Sequence, residues 1–147
     1  WIDGGYRGSE SIHLGSAIAM RGGGVIAPAL LDADTRTLDE LMADLRDLVG
    51  RARGGRLRSR ELTDATITVT SLGDRGCETV WGVIHPPQVA IVGFGVIGPR
   101  PWVEGDHVAV HPVVTASLAA DHRVSDGHRG GLFLAAIDHH LQEPERL

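Results

Sequence analysis

The sequence predicts an α/β (α+β) fold in which helices pack on one face of a mixed β-sheet. Two apolar runs, at residues 12–20 and 25–31, flank the glycine-rich segment 21–24, and this pattern is typical of a β-hairpin. Apolar residues then recur at steps of three and four over residues 38–52, which predicts an amphipathic helix. Strands and helices in this order favour an open sheet with helices packed against it.

Three further strands and a second helix complete the predicted fold. The predicted strands cover residues 66–70, 89–97 and 108–118. Pro99 and Pro101 are expected to end the second of these strands, because proline cannot donate a hydrogen bond to a β-ladder. Pro112 is expected to bend the third strand. The second helix is predicted over residues 127–142. Its apolar face comprises Leu132, Phe133, Ala136, Ile137 and Leu141.

Short signals mark the ends of the first helix. Thr37 and Glu40 match a capping box at its start. The glycines at residues 54–55 are expected to end it. The polar segment that follows, residues 56–64, is expected to be a linker.

The composition excludes several classes of function. The chain has 14 basic residues, all of them arginine, and 19 acidic residues, so its net charge is −5 at pH 7. Without lysine the chain cannot form a Schiff base, build a Walker-type phosphate loop or carry a lipoyl group itself. An acidic chain without a basic run is not expected to bind nucleic acid or an anionic membrane, and no apolar run approaches the ~20 residues of a membrane span. The single cysteine, Cys77, favours a cytoplasmic location.

The eight histidines do not predict a metal site. His107 and His111 are four positions apart, but on a strand that spacing separates them by about 13 Å. His139 and His140 are adjacent on a predicted helix, where neighbouring side chains point about 100° apart. No set of metal ligands results, so no metal is expected.

The loop at residues 121–127 combines a histidine, two carboxylates and a guanidinium between a predicted strand and the last helix. One interpretation is structural: Ser125 or Asp126 caps the helix while Arg123 pairs with a carboxylate. The other is that His122 acts as a general base at the mouth of a pocket. Composition alone does not decide between them.

Three ordered segments resemble the acyltransferase components of 2-oxo acid dehydrogenase complexes. Residues 121–127 are similar to the family's His-x-x-x-Asp-Gly signature in its Asp-His-Arg form. Residues 68–73, Thr-Val-Thr-Ser-Leu-Gly, resemble its Thr-x-Ser/Thr-x-x-Gly segment, and residues 86–91, Pro-Pro-Gln-Val-Ala-Ile, resemble its Pro-Pro-x-x-Ala-Ile segment. Residues 25–34 and the helix after them look similar as well. The resemblance covers nearly all of the chain after residue 10 and implies a chloramphenicol acetyltransferase-like fold.

The resemblance implies transfer of an acyl group between coenzyme A and the dihydrolipoyl group of a lipoyl domain. A free imidazole, with a pKa near 6.5, accepts the proton of a thiol whose pKa is about 8.5. His122 is the expected general base. Thr70 matches the family's hydroxyl that stabilises negative charge on the reacting carbonyl oxygen. Asp126 matches an aspartate that pairs with an arginine to hold the loop. Without the resemblance, Thr70 would be assigned to the polar face of its strand with Thr66 and Thr68.

The same resemblance implies a homotrimer with its active site between subunits. His122 would come from one subunit and Thr70 from its neighbour, so a monomer is expected to be inactive. Coenzyme A is the expected substrate, and the lipoyl group is expected on a partner domain of the same multienzyme complex. No residue is assigned to binding coenzyme A.

The family's catalytic domain is expected to be incomplete at its N-terminus in this sequence. Residues 1–10 are glycine-rich and aperiodic, so they are expected to form an arm or loop, and residues 11–147 are expected to form the catalytic domain. The family's initial helix and strand, with the arginine that often pairs with the aspartate, have no counterpart. Ala119 stands where a serine is common.

Two other functions remain open. A coenzyme A-dependent O- or N-acetyltransferase of the chloramphenicol acetyltransferase type would use the same base with another acceptor, although residues 86–87 and 121–123 favour the lipoyl-dependent family. A non-catalytic core or scaffold subunit would keep the fold for assembly alone. Activity with dihydrolipoamide, but not with hydroxyl or amine acceptors, would separate the two enzymes. Loss of that activity in His122→Ala would separate an enzyme from a scaffold.

Overall fold

The computed structural model describes residues 1–73 and 76–146 of the chain. Its helices are α1 (Leu38–Arg53), α2 (Ser59–Thr63) and α3 (Gly127–Gln142). Its strands are β1 (Leu14–Ser16), β2 (Ile18–Ala19), β3 (Val25–Ile26), β4 (Ala29–Leu30), β5 (Ile67–Ser71), β6 (Ala90–Phe94), β7 (Gly98–Glu104), β8 (His107–Val113) and β9 (Ala116–Ala120). Residues 1–10 contain one turn, closed by a bridge between Ile2 and Gly5.

The main sheet is mixed and has five strands in the order β4-β1-β5-β6-β9. β1, β5 and β6 are parallel to one another, while β4 and β9 are antiparallel strands at the two edges. Parallel neighbours need crossover connections, which here are the segment containing α1 and α2 and the long segment at residues 72–89. This architecture confirms the predicted fold class.

The predicted hairpin at residues 12–31 forms in two parts. β1 pairs with β4 and β2 pairs with β3, and the ladder is interrupted at Ala17, whose amide donates instead to the carbonyl of Val69. The turn is closed by a hydrogen bond from the Met20 amide to the Gly24 carbonyl. Gly23 and Gly24 have φ values of +91° and +84°, which side chains rarely adopt, so this turn requires glycine.

Helix α1 begins as predicted. The Thr37 side chain accepts a hydrogen bond from the Glu40 amide, and the Glu40 carboxylate accepts one from the Thr37 amide at 2.9 Å. This reciprocal pair confirms the capping box. Leu48 and Ala52 on the inner face of α1 are each 1% exposed, so this helix contributes to the core.

The segment expected to be a linker, residues 56–64, contains α2. Its Glu61 is 5% exposed, and the Glu61 carboxylate accepts hydrogen bonds from the Arg51 guanidinium at 2.6 Å and from the Arg58 amide at 2.7 Å. The Arg51 hydrogen bond is the main reason that the pKa of Glu61 is lowered. A buried carboxylate is tolerated only when it is paired, so this ion pair joins α2 to α1. The linker prediction was wrong because its basis was polarity alone.

A second correction concerns the prolines after β6. They do not exclude a strand: Pro99 and Pro101 lie within β7, which pairs with β8 in an antiparallel hairpin separate from the main sheet. In a two-stranded hairpin each strand has one free edge, and a proline nitrogen that faces this edge costs no ladder hydrogen bond. The single strand predicted over residues 108–118 is in fact two strands. β8 belongs to the separate hairpin, and β9 belongs to the main sheet.

Residues 77–84 cross one face of β6 at very short range. A Cβ added to Gly95 would overlap the backbone carbonyl group of Glu78. A Cβ added to Gly93 would lie 2.8 Å from the Val80 carbonyl oxygen. The glycines of β6 and of the segment after it therefore permit the close approach of a second layer of backbone.

The two faces of the sheet carry different neighbours. Thr70 pairs in register with Gly93, and Gly93 pairs with Ser117, so these three residues lie on one face. Helix α3 packs on the other face, where Gly130 lies against Leu118 of β9. The segment that crosses β6 and the helix α3 are thus on opposite sides of the sheet.

The predicted apolar face of α3 is only partly covered. Leu132, Phe133 and Leu141 are 59%, 42% and 49% exposed, and no residue of α3 is buried. Among the described residues, no helix is both long and apolar enough to cross a membrane.

Candidate active site

Thr70 lies in a cleft of about 740 Å³ on the face of the sheet crossed by residues 77–84. The floor of the cleft includes Thr68 and Thr70 of β5, and the crossing segment and residues 85–88 supply much of its wall. Volumes of about 300–1,000 Å³ are typical of small-molecule sites. The cleft therefore has room for a ligand at the Thr70 hydroxyl.

Thr66, Thr68 and Thr70 alternate along β5 and its N-terminal extension. Of these three hydroxyls, only that of Thr70 has no hydrogen-bond partner among the described residues. The Thr66 hydroxyl accepts a hydrogen bond from the backbone amide of His13 and donates to its carbonyl. The Thr68 hydroxyl bonds the side-chain oxygen of Gln88 at 2.7 Å. Thr70 makes no side-chain hydrogen bond to the part of the chain that the structure describes. Its hydroxyl is thus available to donate to a ligand in the cleft.

Gln88 is a site residue that sequence analysis did not single out. It is 9% exposed, borders the cleft and bonds Thr68 on the strand that carries Thr70. The sequence contained it within the segment at residues 86–91, but nothing local indicated that its side chain is buried against β5.

His122 lies in a loop that is tied to the end of the sheet. The Asp121 amide donates to the Val89 carbonyl at 2.8 Å, and the amides of Val124 and Ser125 both donate back to the Asp121 carbonyl. His122 itself is exposed and makes no hydrogen bond to the described residues. The loop thus presents an imidazole with both nitrogens accessible.

Arg123 pairs with Asp121, as the structural interpretation predicted. Its guanidinium donates to both carboxylate oxygens, at 3.0 and 2.6 Å, and it lies 4.2 Å from the centre of the Trp1 ring. The hydrogen bonds from Arg123 hold the pKa of Asp121 at about 2. Because Asp121 immediately precedes His122, this pair fixes the loop that carries the imidazole.

The stabilising effect of this pair is expected to depend on pH in the acidic range. An aspartate whose pKa is lowered by folding stabilises the native state above its unfolded pKa of about 3.9, and this contribution is lost as the pH falls towards 2. We expect Asp121→Asn to unfold at a lower temperature than the wild type at pH 5 to 7, with a difference that shrinks below about pH 4. Thermal unfolding of the wild type and of Asp121→Asn between about pH 2 and pH 7 measures this difference in unfolding temperature. A difference that persists unchanged at about pH 2 would exclude the ion pair as its cause.

Asp126 caps helix α3. Its carboxylate accepts a hydrogen bond from the Arg129 amide at 2.9 Å, directly after the His122 loop. Within residues 1–73 and 76–146 it forms no ion pair with an arginine, so the pairing implied by the family resemblance is absent there. The physical reason is local: the Asp126 carboxylate satisfies a backbone amide at the helix start.

The structure does not bring Thr70 and His122 together within one chain. Thr70 is level with Gly93 of β6, whereas the Asp121 backbone is level with Val89, which lies four residues before Gly93 and just outside β6. The two positions are also two strand spacings apart, since β6 lies between β5 and β9. Strand geometry gives a separation of roughly 16 Å, far beyond hydrogen-bond reach.

The described part of the chain contains no cluster of three or more His, Cys, Asp or Glu side chains arranged to hold a metal ion. His107 and His111 both lie on β8, the strand arrangement that the spacing argument assumed. Cys77 is exposed.

Fold and sequence together place the chain in a known family. The family model of the 2-oxoacid dehydrogenases acyltransferase (catalytic domain) matches residues 3–147. The chain belongs to this family of acyltransferases.

Curated relatives have similar sequences. The dihydrolipoyllysine-residue acetyltransferase component of the pyruvate dehydrogenase complex of Zymomonas mobilis is 37% identical over 122 residues, which cover 83% of this chain and 28% of that protein. The corresponding component of the acetoin cleaving system of Bacillus subtilis is 33% identical over 136 residues, which cover 92% and 34%. The chain thus spans about a third of the length of these relatives.

Solved structures show the same fold. A probable dihydrolipoamide acetyltransferase from Listeria monocytogenes superimposes with a TM-score of 0.90 at 31% identity, covering 97% of this chain and 61% of that one. The dihydrolipoamide acetyltransferase of Azotobacter vinelandii gives a TM-score of 0.84 at 27% identity, covering 90% and 54%. The predicted chloramphenicol acetyltransferase-like architecture of the family is therefore confirmed.

Proposed function

We propose that this chain transfers an acyl group between coenzyme A and a dihydrolipoyl group, with His122 and Thr70 as its catalytic residues. One observation carries the assignment. The Azotobacter vinelandii enzyme is described by the role of a serine, a histidine and an asparagine in its catalytic mechanism. In that enzyme the serine lies 52 positions before the histidine, and the asparagine lies four positions after it. In this chain Thr70 lies 52 positions before His122, and Asp126 lies four positions after it.

The residue types at these positions suit the chemistry. His122 accepts the proton of the attacking thiol, and the resulting thiolate adds to the thioester carbonyl. The Thr70 hydroxyl donates to the oxygen that becomes negatively charged in the tetrahedral intermediate. When the intermediate collapses, the leaving thiolate takes the proton back from the His122 imidazolium. No net proton is consumed, so a single base serves both directions.

Asp126 acts as a positioning residue in this proposal. Aspartate and asparagine are equivalent N-caps, which agrees with an asparagine in the Azotobacter vinelandii enzyme and an aspartate here. The capped start of α3 and the Asp121–Arg123 pair hold the two ends of the loop around His122.

The proposed site lies between copies of the chain in a homotrimer. Thr70 and His122 are too far apart within one subunit, so the hydroxyl and the imidazole must come from neighbouring subunits. A related solved structure, with a TM-score of 0.84, is the cubic core of a pyruvate dehydrogenase multienzyme complex, an assembly of many copies. Since residues 1–147 contain no lysine, the lipoyl group would be carried on a domain outside these residues.

The test is acetyl transfer from acetyl-CoA to dihydrolipoamide by the wild type, Thr70→Ala and Thr70→Ser. We expect Thr70→Ala to lower kcat by about 10²–10³, the usual cost of one oxyanion donor, and Thr70→Ser to retain most activity. Hydroxyl and amine acceptors serve as controls for acceptor specificity. Transfer to these acceptors but not to dihydrolipoamide would indicate an O- or N-acetyltransferase. No transfer by a correctly assembled protein would indicate a scaffold subunit.

A further inference from the structure

The Gln88 side chain is buried, and within the described residues only its oxygen has a hydrogen-bond partner. The residue is 9% exposed, and its side-chain oxygen accepts a hydrogen bond from the Thr68 hydroxyl at 2.7 Å. This distance is typical of an O–H···O bond and short for an N–H···O bond, so the oxygen, and not the nitrogen, faces Thr68. The carboxamide nitrogen, which carries two N–H donors, makes no hydrogen bond to the described residues.

The position of Gln88 shows where an acceptor for this nitrogen can be supplied. Buried polar side-chain atoms are hydrogen-bonded in the large majority of cases, because an unpaired buried donor costs free energy. Gln88 lines the cleft that contains Thr70 and also borders a second cavity of about 450 Å³. Thr68, to which its carboxamide is bonded, lines only the cleft. A ligand in the cleft can therefore accept a hydrogen bond from the Gln88 nitrogen.

The described lining of the cleft suits an uncharged and partly apolar chain. It contains no aspartate, glutamate or arginine, and His85 is its only titratable side chain. Four apolar side chains of the lining are 57–88% exposed: Val25, Leu62, Trp81 and Val83. Such walls stabilise methylene groups by burying them, whereas a few polar groups at fixed points determine how far along the cleft a ligand lies. Thr70 and Gln88 are two such polar groups.

The spacing of these two groups matches one kind of substrate. Thr68 and Thr70 are alternate residues of β5, so their positions are about 6.6 Å apart on one face of the sheet. In the thiol arm of coenzyme A, two carbons separate the sulfur from an amide nitrogen, so the carbonyl carbons of the thioester and of this amide are roughly 6–7 Å apart when extended. In dihydrolipoamide a longer hydrocarbon chain separates the sulfur from the amide, which would then extend beyond Gln88.

We propose that Gln88 binds the thiol arm of coenzyme A by donating a hydrogen bond from its carboxamide nitrogen to the amide carbonyl nearest the sulfur. This inference rests on the proposed function, because it takes Thr70 as the group that meets the thioester carbonyl. The hydrogen bond fixes how far the arm extends along the cleft and so places the thioester at Thr70. Thr68 is a positioning residue, since its hydroxyl holds the Gln88 oxygen and leaves the nitrogen for the ligand.

The test compares two acetyl donors of equal length with dihydrolipoamide as the acceptor. S-acetyl-N-acetylcysteamine keeps the amide of the thiol arm, whereas S-pentyl thioacetate has methylene groups in its place. We expect the ratio of kcat/KM for the amide donor to that for the alkyl donor to fall about three- to tenfold in Gln88→Met, which is the usual effect of one neutral hydrogen bond. Gln142→Met, at an exposed position of α3, is the matched control and is expected to keep the wild-type ratio.

Gln88→Glu separates substrate binding from a purely structural role. It keeps an oxygen for the Thr68 hydroxyl but replaces the nitrogen donor by a second carboxylate oxygen, so the same fall in the ratio is expected even if Gln88→Met does not fold. A structural role would lower kcat/KM for both donors alike and leave their ratio unchanged. An unchanged ratio in the folded variants would overturn the proposal, and so would a rise confined to the KM of dihydrolipoamide.

Binding of pantetheine, measured by calorimetry, distinguishes this proposal from the proposed function because it needs no turnover. Pantetheine that binds the wild type more tightly than Gln88→Glu, in a chain that transfers no acetyl group, would support Gln88 as a binding residue and contradict the enzyme. Acetyl transfer with a ratio that does not depend on Gln88 would support the enzyme and contradict the binding residue. A chain that neither binds pantetheine nor transfers an acetyl group would contradict both.

Discussion

Replacing His122 by alanine is expected to lower acetyl transfer to dihydrolipoamide by about 10²–10⁴, because the thiol then has no general base at the reacting centre. The loop is expected to keep its structure, since His122 is exposed and makes no hydrogen bond to the described residues. Steady-state kinetics with acetyl-CoA would show the loss in kcat. An unchanged melting temperature would show that the fold is intact.

Mixing this variant with Thr70→Ala is expected to restore activity. In a cyclic trimer, a site between copies is intact when one neighbour supplies Thr70 and the other supplies His122. When equal amounts of the two variants assemble at random, about one quarter of the sites contain both Thr70 and His122. We therefore expect co-refolded mixtures to regain about a quarter of the wild-type activity. Mixtures that cannot exchange subunits are the control and should stay inactive.

A co-refolded mixture without restored activity would contradict the shared site. It would mean that Thr70 and His122 of the same chain cooperate. The sheet geometry argues against this, because it places the Thr70 backbone roughly 16 Å from the Asp121 backbone that precedes His122. Restoration, by contrast, cannot arise from either inactive chain alone.

Gly95→Ala is expected to have the largest effect on stability. The new Cβ would overlap the backbone carbonyl group of Glu78, which cannot move aside like the end of a flexible side chain. The Gly95 amide also donates to the Thr115 carbonyl at 3.0 Å, which holds this position against the start of β9. We expect a loss of about 3 kcal/mol or more in the free energy of unfolding, a large part of the stability of a domain of this size.

The matched control is Gly50→Ala in α1. Nothing lies within 4 Å of a Cβ at Gly50, and the residue is helical. Alanine there should stabilise the chain by about 0.5–1 kcal/mol through helix propensity. Urea unfolding of both variants gives the comparison, and an insoluble Gly95→Ala protein would agree with the expectation. Two variants of equal stability would show that residues 77–84 move away from Gly95 without cost.

Local interactions explain which elements were predictable from the sequence. Helix α1 is specified by its own periodicity and by the Thr37–Glu40 capping box, whose atoms are three residues apart. β5 alternates strictly, and the His122 loop carries its signature within seven consecutive residues. None of these features needs a distant part of the chain to be recognised.

The misplaced elements depend on partners that the sequence does not reveal. α2 lies in a polar segment because Glu61 is paired with Arg51, ten residues earlier on another helix. β7 tolerates Pro99 and Pro101 because their nitrogens face its free edge, where no hydrogen bond to β8 is lost. The cost of a buried carboxylate or of a strand proline is set by its neighbours, and those neighbours are fixed only when the chain folds.

The sequence by itself determined the fold class, the family resemblance and the candidate residues His122, Thr70 and Asp126. Only the tertiary structure decided that Thr70 lines a cleft, that Asp126 caps α3 and that Thr70 and His122 lie at different ends of the sheet. The reason is physical. Residue type and spacing along the chain specify the chemistry available, whereas strand order and register set the distances over which that chemistry must act.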